Sequence, residues 1–163
     1  MYSIGDKIVY PMHGAGIIEA IEEKEILGTK AAYYILRVPI GNIKIMVPVS
    51  SAKNVGVRDI MSGEHVDKLI DYVRICEIPM NDNWNKRYRE NMDKIKKGEV
   101  FEIAAIYKYL VNRDKEKGLS SGEKKMLINA KQIIVSEIIL SKEIEKDEAE
   151  NWLEETALCH HVS

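Results

Sequence analysis

Cysteine is scarce: Cys76 and Cys159 are the only two, far apart and in no C-x-x-C arrangement. That excludes a disulfide framework, and in a reducing cytosol both are expected as thiols. Long apolar runs are missing as well; no stretch approaches the roughly 18 uninterrupted apolar residues that span a bilayer. Met1-Tyr2-Ser3-Ile4-Gly5-Asp6-Lys7 has neither the basic start nor the apolar run of a signal peptide. A cytoplasmic protein without a membrane partner is the expectation. Enzyme signatures are absent too: no Gly-rich phosphate loop, no H-E-x-x-H and no G-x-S-x-G occurs. His13, His65, His160 and His161 are the only histidines. His13, beside Gly14 in an apparent tight turn, fits a hydrogen-bonding role, and Cys159-His160-His161, three adjacent residues, make a poor metal site. No catalysis, metal, cofactor or small-molecule substrate is expected. Finally, charge of one sign is lacking: 24 Lys and Arg against 26 Asp and Glu leave a net charge of −2. Any contact with nucleic acid must therefore come from a local patch.

What remains is globular in composition, 45% apolar and 31% charged, in 163 residues that can hold two small domains. The two ends of the chain follow different periods. Between residues 7 and 49, Ile, Val and Tyr come in short runs broken by Gly and Pro: Lys7-Ile8-Val9-Tyr10 before Pro11, Gly16-Ile17-Ile18-Glu19-Ala20-Ile21, Tyr33-Tyr34-Ile35-Leu36-Arg37-Val38 and Asn42-Ile43-Lys44-Ile45-Met46-Val47. Leu27-Gly28-Thr29-Lys30 and Gly41-Asn42 supply hairpin-type turns. In the last run Ile43, Ile45 and Val47 share the inward face, which leaves Met46 outside beside Lys44. After residue 64 the period becomes about 3.6. Helices are expected over 64–77, over 84–97 with Asn81-Asp82 as cap and Gly98 as stop, and over 99–117 ended by Gly118. Ser120-Ser121-Gly122-Glu123 reads as a capping box that opens a fourth helix, apolar around much of its circumference from Met126 to Leu140 and so central. A fifth, over 143–158, is acidic outside with Trp152 and Leu153 inside. The reading is a two-domain α+β chain: a small Tudor-like or SH3-like β-barrel in residues 1–57, a linker at 58–64, and an all-α bundle of about five helices in 65–163.

One constellation stands out chemically. Asn83-Trp84-Asn85-Lys86-Arg87-Tyr88-Arg89 sets a tryptophan in the first turn of a helix beside three cations. Trp84 can open the core stripe continued by Tyr88, Met92 (or Asn91) and Ile95, with the cations on a solvated face. Alternatively it is exposed, a wedge against a base step while Lys and Arg hold the phosphates. A second basic cluster, Arg113, Lys115, Lys117, Lys124 and Lys125, brackets the next helix–helix turn, where a helix N-terminus adds N–H donors.

Several blocks carry a resemblance. Val9-Tyr10-Pro11-Met12-His13-Gly14-Ala15-Gly16, Val55-Gly56-Val57-Arg58-Asp59, the Asn83–Tyr88 segment and the run from Arg113 through Gly118-Leu119-Ser120-Ser121-Gly122-Glu123 to Leu127 resemble the CarD-like transcription regulators. The first block is shared with the polymerase-interacting domain of the transcription-repair coupling factor; the Asn-Trp and Gly-Leu-Ser blocks belong to the two-domain regulators. The resemblance implies a Tudor-like domain that docks on the β subunit of RNA polymerase, with Lys24, Tyr33, Arg37, Lys44 and Met46 as candidate contacts. Lys24 and Met46 stand where some relatives carry Arg, so apolar contact is expected to take a larger share of the docking. It also implies a helical domain on promoter DNA at the upstream edge of the bubble. There Trp84 enters the minor groove, and Lys86, Arg87 and Arg89 meet phosphates largely without regard to sequence; from the charge pattern, Arg113, Lys117, Lys124 and Lys125 are expected to join them. The implied function is stabilisation of the open complex. A polymerase-binding adaptor with little or no DNA contact is the alternative, and it requires a buried Trp84.

Overall fold

A computed structural model describes residues 1–77 and 80–158. Five strands, β1 (Lys7–Tyr10), β2 (Gly14–Ile26), β3 (Thr29–Val38), β4 (Ile43–Pro48) and β5 (Arg58–Asp59), form one antiparallel sheet in the order β4-β3-β2-β1-β5. Five helices follow: α1 (Gly63–Ile75), α2 (Trp84–Lys97), α3 (Val100–Glu116), α4 (Ser121–Lys142) and α5 (Lys146–Ala157). The chain is thus α+β in two parts, a Tudor-like sheet and a helical bundle.

Turn chemistry sets the sheet. Leu27 and Gly28, with φ of 51° and 80°, make the two-residue connection whose twist suits a β2–β3 hairpin. The alternation of β3 sends Tyr34, Leu36 and Val38 inward, and Tyr34 and Leu36 pack with Ile8, Ile18 and Val47. Ile43, expected on that inward face, is exposed at the start of β4, although its partner Val38 is buried. Register shifts between Ile18 and Ala20, so Glu19 is the extra residue of a bulge. Such a bulge re-aims its side chain, and here Glu19 reaches Arg37 and Lys44.

The helical core contains Val66, Leu69, Ile70 and Val73 of α1, Ile103, Tyr107 and Leu110 of α3, and Leu153 of α5, packed around Met126, Ile133, Ile134 and Ile138 of α4. Each fully buried aliphatic side chain stabilises the fold by about 1.5–3 kcal/mol relative to exposure. α4 is buried on most of its circumference, as its composition requires of a central helix. Trp152, expected inside, is half-buried, with Lys142 Nζ 5.9 Å from its ring centroid; Leu153 takes the core position. Lys108 of α3 is buried, and its ammonium donates to three carbonyls at the end of α1: Val73 at 2.7 Å, Arg74 at 3.3 Å and Cys76 at 2.9 Å.

Residues 58–64, read from sequence as a linker, contribute β5, which pairs with β1, and the start of α1, capped by Ser62. The reason is tertiary. Two residues carry no strand period of their own, and Arg58 is held by the Glu137 carboxylate through two hydrogen bonds of 2.8 Å. No helix among the described residues is long and apolar enough to cross a membrane.

Candidate functional site

α2 begins at Asn83, whose side chain accepts the Lys86 N–H at 3.1 Å, while Asn81 accepts the Asn83 N–H at 3.0 Å. The cap lies one residue later than the expected Asn81-Asp82. It places Trp84 at the first helical position, with its ring stacked on Tyr88 one turn along, centroids 5.2 Å apart and planes 15° from parallel. The buried stripe of α2 is Arg87, Asn91 and Ile95, so Trp84 stands at the margin of that stripe and is 41% exposed.

Its orientation is fixed from α4. The indole Nε1–H lies 3.1 Å from both Ser120 Oγ and Glu123 Oε1. Ser120 is the N-cap of α4 and also accepts the Glu123 N–H at 3.2 Å. Only half of the expected capping box is therefore used. The Glu123 carboxylate instead receives the indole and, through Arg87 Nε and Nη2 at 3.1 and 3.2 Å, a forked guanidinium contact. Gly122 completes the seat: a Cβ there would stand 3.3 Å from Tyr88 and 3.6 Å from the Trp84 ring, close enough to crowd the stack.

Arg87, expected to meet a phosphate, is turned inward and only 3% exposed against a Glu123 that is 2% exposed. Its Nη1 also donates to the Asn81 and Asp82 carbonyls, and its guanidinium lies 5.9 Å from the Tyr109 ring centroid. Hydrogen bonding to Glu123 outweighs desolvation and holds the guanidinium above its ordinary value. It is thus a structural cation that joins the loop before α2 to α4, not a phosphate contact. Arg113 is half-buried, with Nη1 3.4 Å from the Tyr109 hydroxyl, and with Lys117 it lines a cleft of about 390 Å³ beside Cys76 and Tyr109. Lys86, Arg89, Lys117, Lys124 and Lys125 are exposed. Among the described residues, Lys86, Arg89, Lys124 and Lys125 pair with no carboxylate. Contact between Trp84 and the start of α4 therefore joins the helix starts that carry the two pairs, Lys86 and Arg89 on α2 and Lys124 and Lys125 on α4.

The other expected surface lies on the sheet. Tyr33, Ile35 and Arg37 of β3 face Pro48, Met46 and Lys44 of β4 in register, and Lys24 continues that face along β2. Met46 is exposed, and Ile35 is buried beside it. Unlike the four exposed cations near Trp84, those here pair with carboxylates: Glu19 binds Lys44 at 2.9 Å and Arg37 at 3.1 Å, and Glu22 binds Lys24 at 3.2 Å. The Lys44 hydrogen bond, with the charges of Lys44 and Arg37, lowers the Glu19 carboxyl below its ordinary range.

Sequence reasoning missed Glu123 and Ser120 as the holders of Trp84. The available signal was a single acid between Gly122 and Lys124-Lys125 inside a basic cluster. No group of His, Cys, Asp and Glu among the described residues could hold a metal ion; Cys159-His160-His161 lie outside them.

With this geometry in place, comparison with known proteins is decisive. Residues 2–61 match the CarD-like/TRCF RID domain and residues 68–154 the CarD C-terminal domain. The chain belongs to the CarD-like family. It is 41% identical over 155 residues to a protein of Bacillus subtilis (strain 168) named "Putative transcription factor YdeB", covering 93% of this chain and 99% of the relative. CarD-like proteins are transcription factors and not enzymes, so this chain acts in transcription regulation.

Proposed function

We propose that this CarD-like protein binds the β subunit of RNA polymerase through the β2–β3–β4 face and sets Trp84 against promoter DNA at the upstream edge of the bubble. The observation that carries this reading is the exposed indole, tethered where two helix starts that each carry a pair of unneutralised cations meet. A plane held by Ser120, Glu123 and Tyr88 loses little rotameric freedom when it meets a base step. In this reading the exposed Lys86, Arg89, Lys124 and Lys125 hold nearby phosphates, and phosphate contacts position without reading sequence. DNA whose junction is open offers an unstacked step to the indole, whereas closed duplex does not. Contact made better in the open complex shifts the population toward it, and a differential of about 1.4 kcal/mol is tenfold in that equilibrium. On the sheet, Tyr33, Met46, Arg37, Lys44 and Lys24 form the docking face, with apolar contact prominent because Glu19 and Glu22 already engage the cations.

The exposure of Trp84 favours this reading over an adaptor that leaves DNA untouched. The test is open-complex lifetime on an unstable promoter with the matching polymerase, for wild type and Trp84→Ala. A lifetime extended by wild type and not by a folded, polymerase-binding Trp84→Ala variant is expected. No extension by wild type refutes the proposal and leaves the adaptor. An extension that survives Trp84→Ala moves the chemistry from the indole to the cations.

A further inference from the structure

The two parts of the molecule meet along α4. Its N-terminal end carries the groups that hold Trp84; its C-terminal half carries Ser136 and Glu137, both 0% exposed, which hold the sheet. Besides the two hydrogen bonds from Arg58, the Glu137 carboxylate accepts the Met61 N–H at 2.7 Å. Ser136 Oγ accepts the Ala15 N–H at 2.9 Å and donates to the Ile133 carbonyl at 2.9 Å. Lys7 Nζ donates to the Leu140 carbonyl at 3.2 Å, and Ser141 Oγ donates to the Met61 carbonyl at 2.6 Å. Gly14 admits no side chain, because a Cβ would lie 2.6 Å from Ser136 Oγ and 3.4 Å from Ile133 Cα.

These contacts do more than add burial. The apolar seam of Val9, Ala15 and Leu140 is non-directional. A guanidinium fork on a carboxylate fixes an angle as well as a distance. Past Gly122, α4 contains neither glycine nor proline, so nothing in its sequence invites a kink. Glu123 and Glu137 are separated by roughly 21 Å along the helix axis at 1.5 Å per residue.

We infer that α4 is a rigid strut and that Glu137 is the positioning residue at its sheet end, fixing Trp84 relative to the docking face on β2–β4. This inference rests on the function proposed above. A molecule joined by a flexible tether would let Trp84 search for DNA and lose orientational freedom on contact. A locked molecule delivers the indole wherever the sheet has docked, with that freedom already lost on folding. Polymerase binding and DNA contact then become one event, coupled through α4.

The test uses the full chain and the double substitution Arg58→Met/Glu137→Met, which keeps side-chain bulk and removes the directional pair. Residual dipolar couplings report the orientation of each part. In wild type one alignment tensor is expected to fit sheet and helices together; in the variant the two parts should need tensors of different magnitude. Polymerase and DNA affinities, measured separately, should be unchanged, while the extension of open-complex lifetime should fall by about fivefold or more, the low end of ordinary coupling between sites. A single tensor that still fits the variant overturns the lock. Divergent tensors with an undiminished lifetime overturn its use in positioning. If the double variant does not fold, Arg58→Lys retains the charge, loses the fork and is read in the same two ways. If wild type itself fails to extend the lifetime, the proposed function falls, and the tensors alone decide whether α4 locks the two parts.

Discussion

Replacing Glu123 by alanine removes three hydrogen bonds at once: the fork from Arg87 at 3.1 and 3.2 Å and the indole contact at 3.1 Å. Arg87 would remain buried with only the Asn81 and Asp82 carbonyls as acceptors. A buried pair broken from one side costs about 3–5 kcal/mol, because the surviving charge is uncompensated. In a chain of this size about 1 kcal/mol moves the melting midpoint by roughly 2–4 °C, so a fall of roughly 6–20 °C is expected. Arg87→Met/Glu123→Met should lose little stability, since well-packed apolar side chains often replace a buried pair at no net cost. Both variants leave the indole Nε1–H with Ser120 as its one acceptor among the described residues. Thermal and urea denaturation followed by circular dichroism would measure stability, and open-complex lifetime would measure the wedge. The single variant should fail in both assays and the double variant in the second only. A loss below about 1 kcal/mol for Glu123→Ala, the range of a solvent-screened surface pair, would refute the buried-pair reasoning.

Three further outcomes follow from the same geometry. Lys124→Ala/Lys125→Ala should flatten the salt dependence of DNA binding by about 0.9 in log–log slope for each phosphate left without its lysine, measured by anisotropy across a salt series; an unchanged slope would remove the α4 pair from the interface. The Glu19 carboxyl should titrate below its ordinary value of 4.5 in a carboxyl-carbon NMR titration, and Lys44→Ala should raise it. Because the folded value is depressed, the stability it contributes is present above the ordinary value and lost as pH falls through the folded one; a midpoint at 4.5 would contradict the ion-pair geometry. Burial, then the charges of Glu154 and Glu150, raise the Tyr107 phenol far above its ordinary 10.0. Its contribution is therefore complete below pH 10.0 and declines as pH rises above it. Tyr107→Phe should flatten the alkaline limb of stability against pH, and an identical limb would assign that loss elsewhere.

Local signals account for most of what the sequence revealed. Gly98 and Ser120 marked helix ends by backbone chemistry that acts within a few residues, and the period of 3.6 found the buried faces of α1 and α3. What stayed hidden depends on partners distant in the chain. Arg87 looked like its neighbours Lys86 and Arg89 because nothing nearby reveals Glu123. Glu123 itself fitted a local motif, which pointed its carboxylate to capping and not to the indole. β5 was invisible because two residues have no alternation to read. Ser136 and Glu137 did carry a signal: two adjacent polar residues inside the apolar run from Ile133 to Leu140 need buried partners, and the sheet supplies them.

Lys108 governs how α1 and α3 can move. Its ammonium sits among three carbonyls that all belong to the last residues of α1 and its cap. Sliding α3 by one turn, about 5.4 Å, would carry that charge away from all three acceptors and into the apolar flank of the helix. The lysine thus acts as a pawl between two smooth apolar surfaces, permitting side-chain breathing while forbidding a register slip. A pull from DNA on Trp84 is then carried through the bundle as through one body, because its helices cannot ratchet past one another.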